Sequence, residues 1–118
     1  KSVTIPKHTS IIGKRAFYEC SNLESIEGLN SVTLIDDYAF TGCENLGEIT
    51  VGEGVKSIGI GAFIKCSKLK SVTLPNTLTH IGGSAFSDCS ALTTIELGNA
   101  LTSLGSQAFF NCSTSSSS

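Results

Sequence analysis

The 118-residue sequence lacks several residue types and patterns that define common protein classes. Only 15% of its residues are charged, and 8 basic against 10 acidic side chains give a formal net charge of −2. No block of lysine and arginine is present, which argues against nucleic acid as a partner. No apolar run approaches the ~18 residues of a membrane span. We therefore expect no membrane insertion in this segment. Methionine is absent and no leader pattern is visible, so we also expect a piece of a longer protein.

Residues and motifs that carry catalysis or hold cofactors are also scarce. The only histidines, His8 and His80, are too few and too far apart for a Ser-His-Asp arrangement or a shared metal. No phosphate-binding loop or dinucleotide fingerprint occurs, and no C-x-x-C pair indicates zinc. The sequence therefore predicts a protein that is not an enzyme and has no metal site and no cofactor. A hydrophobic content of 40% nevertheless predicts a folded chain.

What the sequence does contain is a repeat with a constant period. Neighbouring cysteines are 23 residues apart every time, and Ala-Phe pairs keep the same step. The unit reads L-x-x-I-x-[VL]-x-x-x-[VL]-x-x-I-G-x-x-A-F-x-x-C-x-x. We divide the chain into a five-copy array over residues 1–112 and a Ser-rich tail or linker over 113–118. The columns comprise Phe17, Phe40, Phe63, Phe86 and Phe109, and Cys20, Cys43, Cys66, Cys89 and Cys112.

One such unit cannot close a core alone, so we expect stacked coils that bury their apolar positions against one another. The I-x-[VL] step has period two and predicts short strands that pair in parallel about 4.8 Å apart. They should centre on residues 3–5, 26–28, 49–51, 72–74 and 95–97. The V-x-x-I step should be extended, and A-F-x-x-C should form a helical or 3₁₀ turn. The glycine after this isoleucine marks a corner that needs either a positive φ or close packing.

The repeat resembles the BspA-like, or treponemal-class, leucine-rich repeat. Residues 69–75 (LKSVTLP) and 81–89 (IGGSAFSDC) match its pattern closely, and the resemblance extends over residues 1–112. It implies a right-handed leucine-rich-repeat solenoid with a parallel sheet on the concave face and short turns on the convex side. It also implies a surface or secreted location, in proteins that adhere to host matrix or to other cells.

The second copy departs from the pattern. Gly28 occupies an inward position, and Leu29 follows in the turn position. We expect a local bulge or shift that lets Leu29 fill the space beside the glycine. Asp36 also replaces the corner glycine of the other copies, and aspartate both tolerates left-handed backbone and caps turns.

The repeated phenylalanine and cysteine predict a buried spine beside a column of free thiols. Parallel Cβ directions disfavour disulfides between neighbouring coils, although one or two disulfides, a metal or a catalytic thiol remain alternatives. Phe40, Phe63 and Phe86 should be almost completely buried. Cys43, Cys66 and Cys89 should be covered on both sides, while Cys20 and Cys112 should be partly open.

The outward positions of the predicted strands carry small polar and acidic side chains. They form two columns on one face, which serve either to solvate the sheet or to bind a protein or glycan partner; ice binding is a third hypothesis. The leading hypothesis is a binding module of an adhesin-like surface protein, and the rival is a structural spacer without a ligand. The candidate partner-binding residues are Thr4, Ser25, Glu27, Glu48, Thr50, Ser71, Thr73, Thr94 and Glu96.

Overall fold

A computed structural model of the chain describes residues 2–96 and 100–112. The predicted tail over 113–118 lies outside these residues. These described residues form ten short strands and one 3₁₀ helix, Leu29–Ser31. The strands are β1 (Ser2–Thr4), β2 (Ile11–Ile12), β3 (Ser25–Glu27), β4 (Leu34–Ile35), β5 (Glu48–Thr50), β6 (Ser57–Ile58), β7 (Ser71–Thr73), β8 (His80–Ile81), β9 (Thr94–Glu96) and β10 (Ser103–Leu104).

The three-residue strands confirm the predicted coils, each beginning one residue earlier than expected. All pairing among them is parallel, and each residue lies opposite its equivalent in the next copy, as Ile49 lies opposite Val72. The row is interrupted, however, because the ladders join β1 to β3 and β5 through β7 to β9 but not β3 to β5 within the described residues.

The interruption coincides with the irregular second copy. Gly28 adopts a left-handed conformation with φ 89°, and the 3₁₀ helix begins directly after it. Leu29 is thereby turned into the core, where it is only 3% exposed. The expected shift at this position is confirmed, although it takes the form of a 3₁₀ turn rather than a bulge.

The two-residue strands form a second side of each coil. Strands β2, β4, β6, β8 and β10 pair in parallel as one uninterrupted five-stranded sheet. The V-x-x-I segments are therefore extended, as predicted, and Ile12, Ile35, Ile58 and Ile81 point into the core at 3% exposure or less.

The A-F-x-x-C segments form the third side as hydrogen-bonded turns, where we expected a helical or 3₁₀ turn. Alternate N–H groups donate to the next coil rather than along their own segment, as Phe40 N does to Ala62 O at 2.7 Å and Gly42 N to Ile64 O at 2.7 Å. Two residues in or directly before each of these turns adopt left-handed backbone, which interrupts a helix. They are Arg15, Glu19, Tyr38, Gly42, Gly61, Lys65, Ser84, Asp88, Gln107 and Asn111.

The core follows the repeated columns. Neighbouring phenylalanine rings from Phe17 to Phe109 are stacked nearly parallel, with centroids 5.1–5.4 Å apart. Phe40, Phe63 and Phe86 are fully buried, which confirms the predicted spine. Cys43, Cys66 and Cys89 are buried and Cys20 and Cys112 half-buried, and all five are free thiols, as the leading interpretation expected.

At the corner, glycine is required by close approach and not by a positive φ. A Cβ on Gly82 would lie 2.5 Å from Ile60 N and 2.6 Å from Gly59 C, and one on Gly59 would lie 2.6 Å from Asp37 N. Asp36 instead accepts a hydrogen bond from the N–H of Asp37 through its own Oδ1, at 2.8 Å. Each coil thus rests directly on the backbone of the coil before it.

Candidate partner-binding surface

The predicted outward columns lie on one face of the three-residue strands. Inward residues such as Ile49 and Val72 alternate with them and are buried at 2% and 3% exposure. On the outside, Thr4, Glu27, Glu48, Thr50 and Thr73 are exposed, and Ser25 and Ser71 are half-buried. We call these seven residues the outer strand face. Thr94 and Glu96 were also predicted for this face and belong to β9, but their side chains are not among those that the structure describes.

The parallel register decides which of these residues become neighbours. Thr50 lies opposite Thr73 and Glu48 opposite Ser71 on β5 and β7, while Thr4 lies opposite Glu27 on β1 and β3. Because no ladder joins β3 to β5 among the described residues, the outer strand face is divided into two blocks. The larger block combines two hydroxyls of one column with the Glu48 carboxylate.

A groove of about 630 Å³ opens beside the larger block, where β5 and β7 end. Its lining combines side chains that carry hydroxyl, amide and carboxylate groups with apolar residues and a glycine. It was not predicted from the sequence, although Asn30, Glu53 and Asn76 do recur at the 23-residue interval directly after the turn position. The lining residues are Asn30, Thr50, Val51, Gly52, Glu53, Thr73, Leu74, Pro75 and Asn76.

The irregular second copy contributes to this groove. Gly52 lies so close to the carbonyl oxygen of Leu29 that a side chain at position 52 would clash with it. Gly52 lines the groove together with Asn30, which belongs to the 3₁₀ helix that follows Gly28. Thr77 Oγ1 donates to Glu53 O at 2.7 Å and ties the turns of two coils together.

The side chains that line the groove can form hydrogen bonds of both directions. The threonine hydroxyls donate and accept, the asparagine amides do both, and Glu53 accepts. The lining contains no histidine, cysteine or lysine that could serve as a base or nucleophile beside them. The groove therefore presents both hydrogen-bond donors and acceptors.

The thiols and histidines lie away from this groove. Burial raises the pKa of Cys43 from its ordinary value of 9.0 to about 12 and that of Cys112 to about 11. The adjacent Cys89 thiol and burial together raise the pKa of Cys66. His8 and His80 are exposed on different coils. Within the described ranges, no three His, Cys, Asp or Glu side chains are placed to hold a metal ion.

Comparison with protein families now identifies the repeat. The family model for the BspA type leucine rich repeat region matches residues 1–116 in six copies. The chain belongs to the BspA-type leucine-rich repeat family. No curated protein matches it. In the part of this BspA-type region that the structure describes, no helix has the length and apolar character needed to cross a bilayer.

Solved structures of bacterial leucine-rich repeat proteins share the fold. The leucine-rich repeat protein of T. pallidum superposes with a TM-score of 0.90 and 32% identity over 92% of this chain and 53% of its own. A leucine-rich cell surface protein of Faecalibacterium prausnitzii superposes with a TM-score of 0.83 and 41% identity, over 95% of this chain and 30% of its own. A leucine-rich repeat protein of Bacteroides ovatus has a TM-score of 0.75 and 30% identity, over 96% of this chain and 35% of its own. The chain therefore spans about half or less of the length of each of these relatives.

Proposed function

We propose that the chain is a non-catalytic binding module of a bacterial surface protein, and that it holds a protein or glycan partner on the outer strand face and in the adjoining groove. The observation that carries this proposal is the continuity between the two. Thr50 and Thr73 belong both to the strand columns and to the groove of about 630 Å³ at the strand ends. Membership of the BspA-type family, together with the Faecalibacterium surface protein of the same fold, supports a surface location.

The chemistry of the face favours broad, shallow recognition. Its exposed side chains are short hydroxyls and two flexible carboxylates, Glu27 and Glu48, so each contact contributes little binding free energy. Affinity would come from many such contacts, and repetition along a longer array would add avidity. The mild negative charge favours partners with exposed donors over anionic ones.

The rival function is that of a spacer, because short polar side chains also solvate an exposed sheet without binding anything. The test is adhesion of beads coated with the chain to immobilised host matrix proteins and to a glycan array. We expect a variant carrying Glu48→Gln, Thr50→Ala and Thr73→Ala to lose most of its bound fraction.

The matched control replaces Ser57 and Ser103 by alanine, since these occupy outward positions of the second sheet. It should adhere like the unmodified chain. Adhesion that is absent from the start, or equal for both variants, would support the spacer and contradict the binding module.

A further inference from the structure

The single arginine of the chain and both of its tyrosines meet at one place. Arg15 Cζ lies 5.3 Å from the centroid of the Tyr18 ring and 5.8 Å from that of Tyr38. The sequence has no tryptophan, so these three residues comprise every arginine, tyrosine and tryptophan in 118 positions. Those are the residue types that most often dominate the binding free energy of protein interfaces.

Two isoleucines extend this cluster. The side chains of Tyr38 and Ile64 both cover Gly61, where an added Cβ would lie 2.6 Å from Tyr38 Cε1 and 2.7 Å from Ile64 Cδ1. Ile60 precedes this glycine and is 50% exposed, while Tyr18 is 43% exposed. We call Arg15, Tyr18, Tyr38, Ile60 and Ile64 the Arg–Tyr patch. It lies on the A-F-x-x-C turns and the corners before them in the first three coils, a different side from the outer strand face.

The fold itself does not require this patch. In the fourth and fifth copies, Ser84 and Gln107 occupy the position of Arg15 and Tyr38, and Gly83 and Ser106 occupy that of Ile60. Arg15 and Tyr38 also have φ of 58° and 60°, a left-handed backbone that disfavours bulky side chains. Large residues therefore occur where the repeat accepts small or polar ones.

The charge of the patch indicates what it would bind. Arg15 Cζ lies over both tyrosine rings, and a guanidinium in such a cation–π contact keeps N–H groups for an acceptor. Arg15 is exposed and forms no ion pair within the described residues, and Lys14 beside it is exposed as well. A carboxylate is the group that such an edge binds in bidentate fashion.

We propose that the Arg–Tyr patch docks a peptide segment of a partner protein in which an acidic residue stands next to an apolar one. The carboxylate would bind the Arg15 guanidinium, and the apolar side chain would cover Ile60. A neutral glycan fits less well, because it offers no carboxylate to the Arg15 guanidinium. The site is separate from the groove of the proposed function, so the failure of either proposal leaves the other unaffected.

The test is selection of short linear peptides from a random displayed library on the intact chain, with counter-selection on an Arg15→Gln, Tyr38→Ser variant. Glutamine and serine already occupy this left-handed position at Gln107 and Ser84, so the variant should fold. Selected peptides free of tyrosine and tryptophan can be titrated by tyrosine fluorescence, since both emitters of the chain belong to the patch.

We expect peptides that pair Asp or Glu with an apolar residue, and binding at least about tenfold weaker to the variant. Lys7→Gln, which removes a positive charge outside the patch, and the Glu48→Gln, Thr50→Ala, Thr73→Ala variant should both bind like the unmodified chain. The proposal is overturned if no peptide distinguishes the variant from the parent. It is equally overturned if the distinguishing peptides lack acidic residues, or if a uronic-acid oligosaccharide perturbs the tyrosine emission while the peptides do not.

Discussion

The thiol of Cys66 donates a hydrogen bond to the carbonyl oxygen of Phe40, 3.2 Å away in the preceding coil. The same link joins Cys43 to Phe17 and Cys89 to Phe63, at 3.1 and 3.0 Å. Each of these carbonyls also accepts the N–H of the cysteine in its own coil, as Phe40 O does from Cys43 N at 3.2 Å. Cysteine therefore serves as a small apolar side chain whose weak donor binds across the coil interface.

Phe63→Ala should lower the free energy of unfolding by about 3–5 kcal/mol, because the ring is fully buried between Phe40 and Phe86 and neither neighbour can close the cavity. Urea denaturation followed by circular dichroism measures this loss. Phe110→Ala is the control, since Phe110 is 50% exposed and lies outside the spine. A loss below about 1 kcal/mol for Phe63→Ala would contradict a packed spine.

Gly82→Ala should destabilise the fold by about 1–3 kcal/mol or more, because the new Cβ would meet backbone atoms of the preceding coil that cannot move aside. Gly13→Ala is the matched control in the same position of the first copy, where no atom lies within 4 Å of the added Cβ. It should be neutral or slightly stabilising, as the unfolded chain loses freedom. Equal effects of the two substitutions in thermal unfolding would show that coils do not approach this closely.

Leu29→Ala should cost about 2–5 kcal/mol, because Leu29 is 3% exposed and fills the core beside Gly28. Ile11→Ala, at a side chain that is 52% exposed, should cost less than about 1 kcal/mol in the same urea titration. A small effect at Leu29 would mean that the 3₁₀ turn does not hold this residue inward.

Stability should decrease in alkali through the buried thiols. The pKa of Cys43 is raised from 9.0 to about 12, so the folded state holds the proton more tightly than the unfolded state. The contribution is complete below pH 9 and is lost as pH rises from 9 towards 12. Cys43→Ser keeps a hydrogen-bond donor that does not titrate in this range. The unfolding free energy of this variant should therefore fall less steeply with rising pH than that of the unmodified chain. Parallel pH profiles for the two proteins would exclude this account.

Native thiol labelling provides a separate check on burial. Cys20 and Cys112 are half-buried, whereas the three central cysteines are buried. A thiol reagent should therefore modify at most the two end cysteines of the folded chain, and all five after denaturation. Rapid modification of Cys66 in the native state would contradict the stacked core.

The coils could be predicted from the sequence because every copy repeats the same short pattern of polar and apolar residues. The constant cysteine interval sets the register in which Ile49 meets Val72, and alternation of polar and apolar residues decides which side faces the core. The prediction for Leu29 succeeded for the same reason, since the copies show which positions must be filled. The turns predicted at A-F-x-x-C form but do not continue as a helix, because only alternate N–H groups bond three residues back, as Cys43 N does to Phe40 O, while the others bond to the next coil.

The two candidate surfaces also differ in whether the sequence predicts them. The outer strand face follows from alternation within a strand, and residues such as Thr50 and Thr73 were predicted on it. The groove beside them requires Gly52 to lie against the Leu29 carbonyl, a contact between two copies that no single repeat encodes.

The period, the parallel register and the buried columns were determined by the sequence itself, because copies that share their apolar positions can bury them only by stacking in phase. Tertiary structure alone decided the close approach at Gly82, the hydrogen bond from each buried thiol to the preceding coil, and the meeting of Arg15 with Tyr18 and Tyr38. These features depend on which side chain of one copy lies above which atom of the next. That relation is fixed only when the coils are stacked at their actual spacing, whether the residues that meet belong to a repeated column, as Gly82 does, or occur once, as Arg15 does.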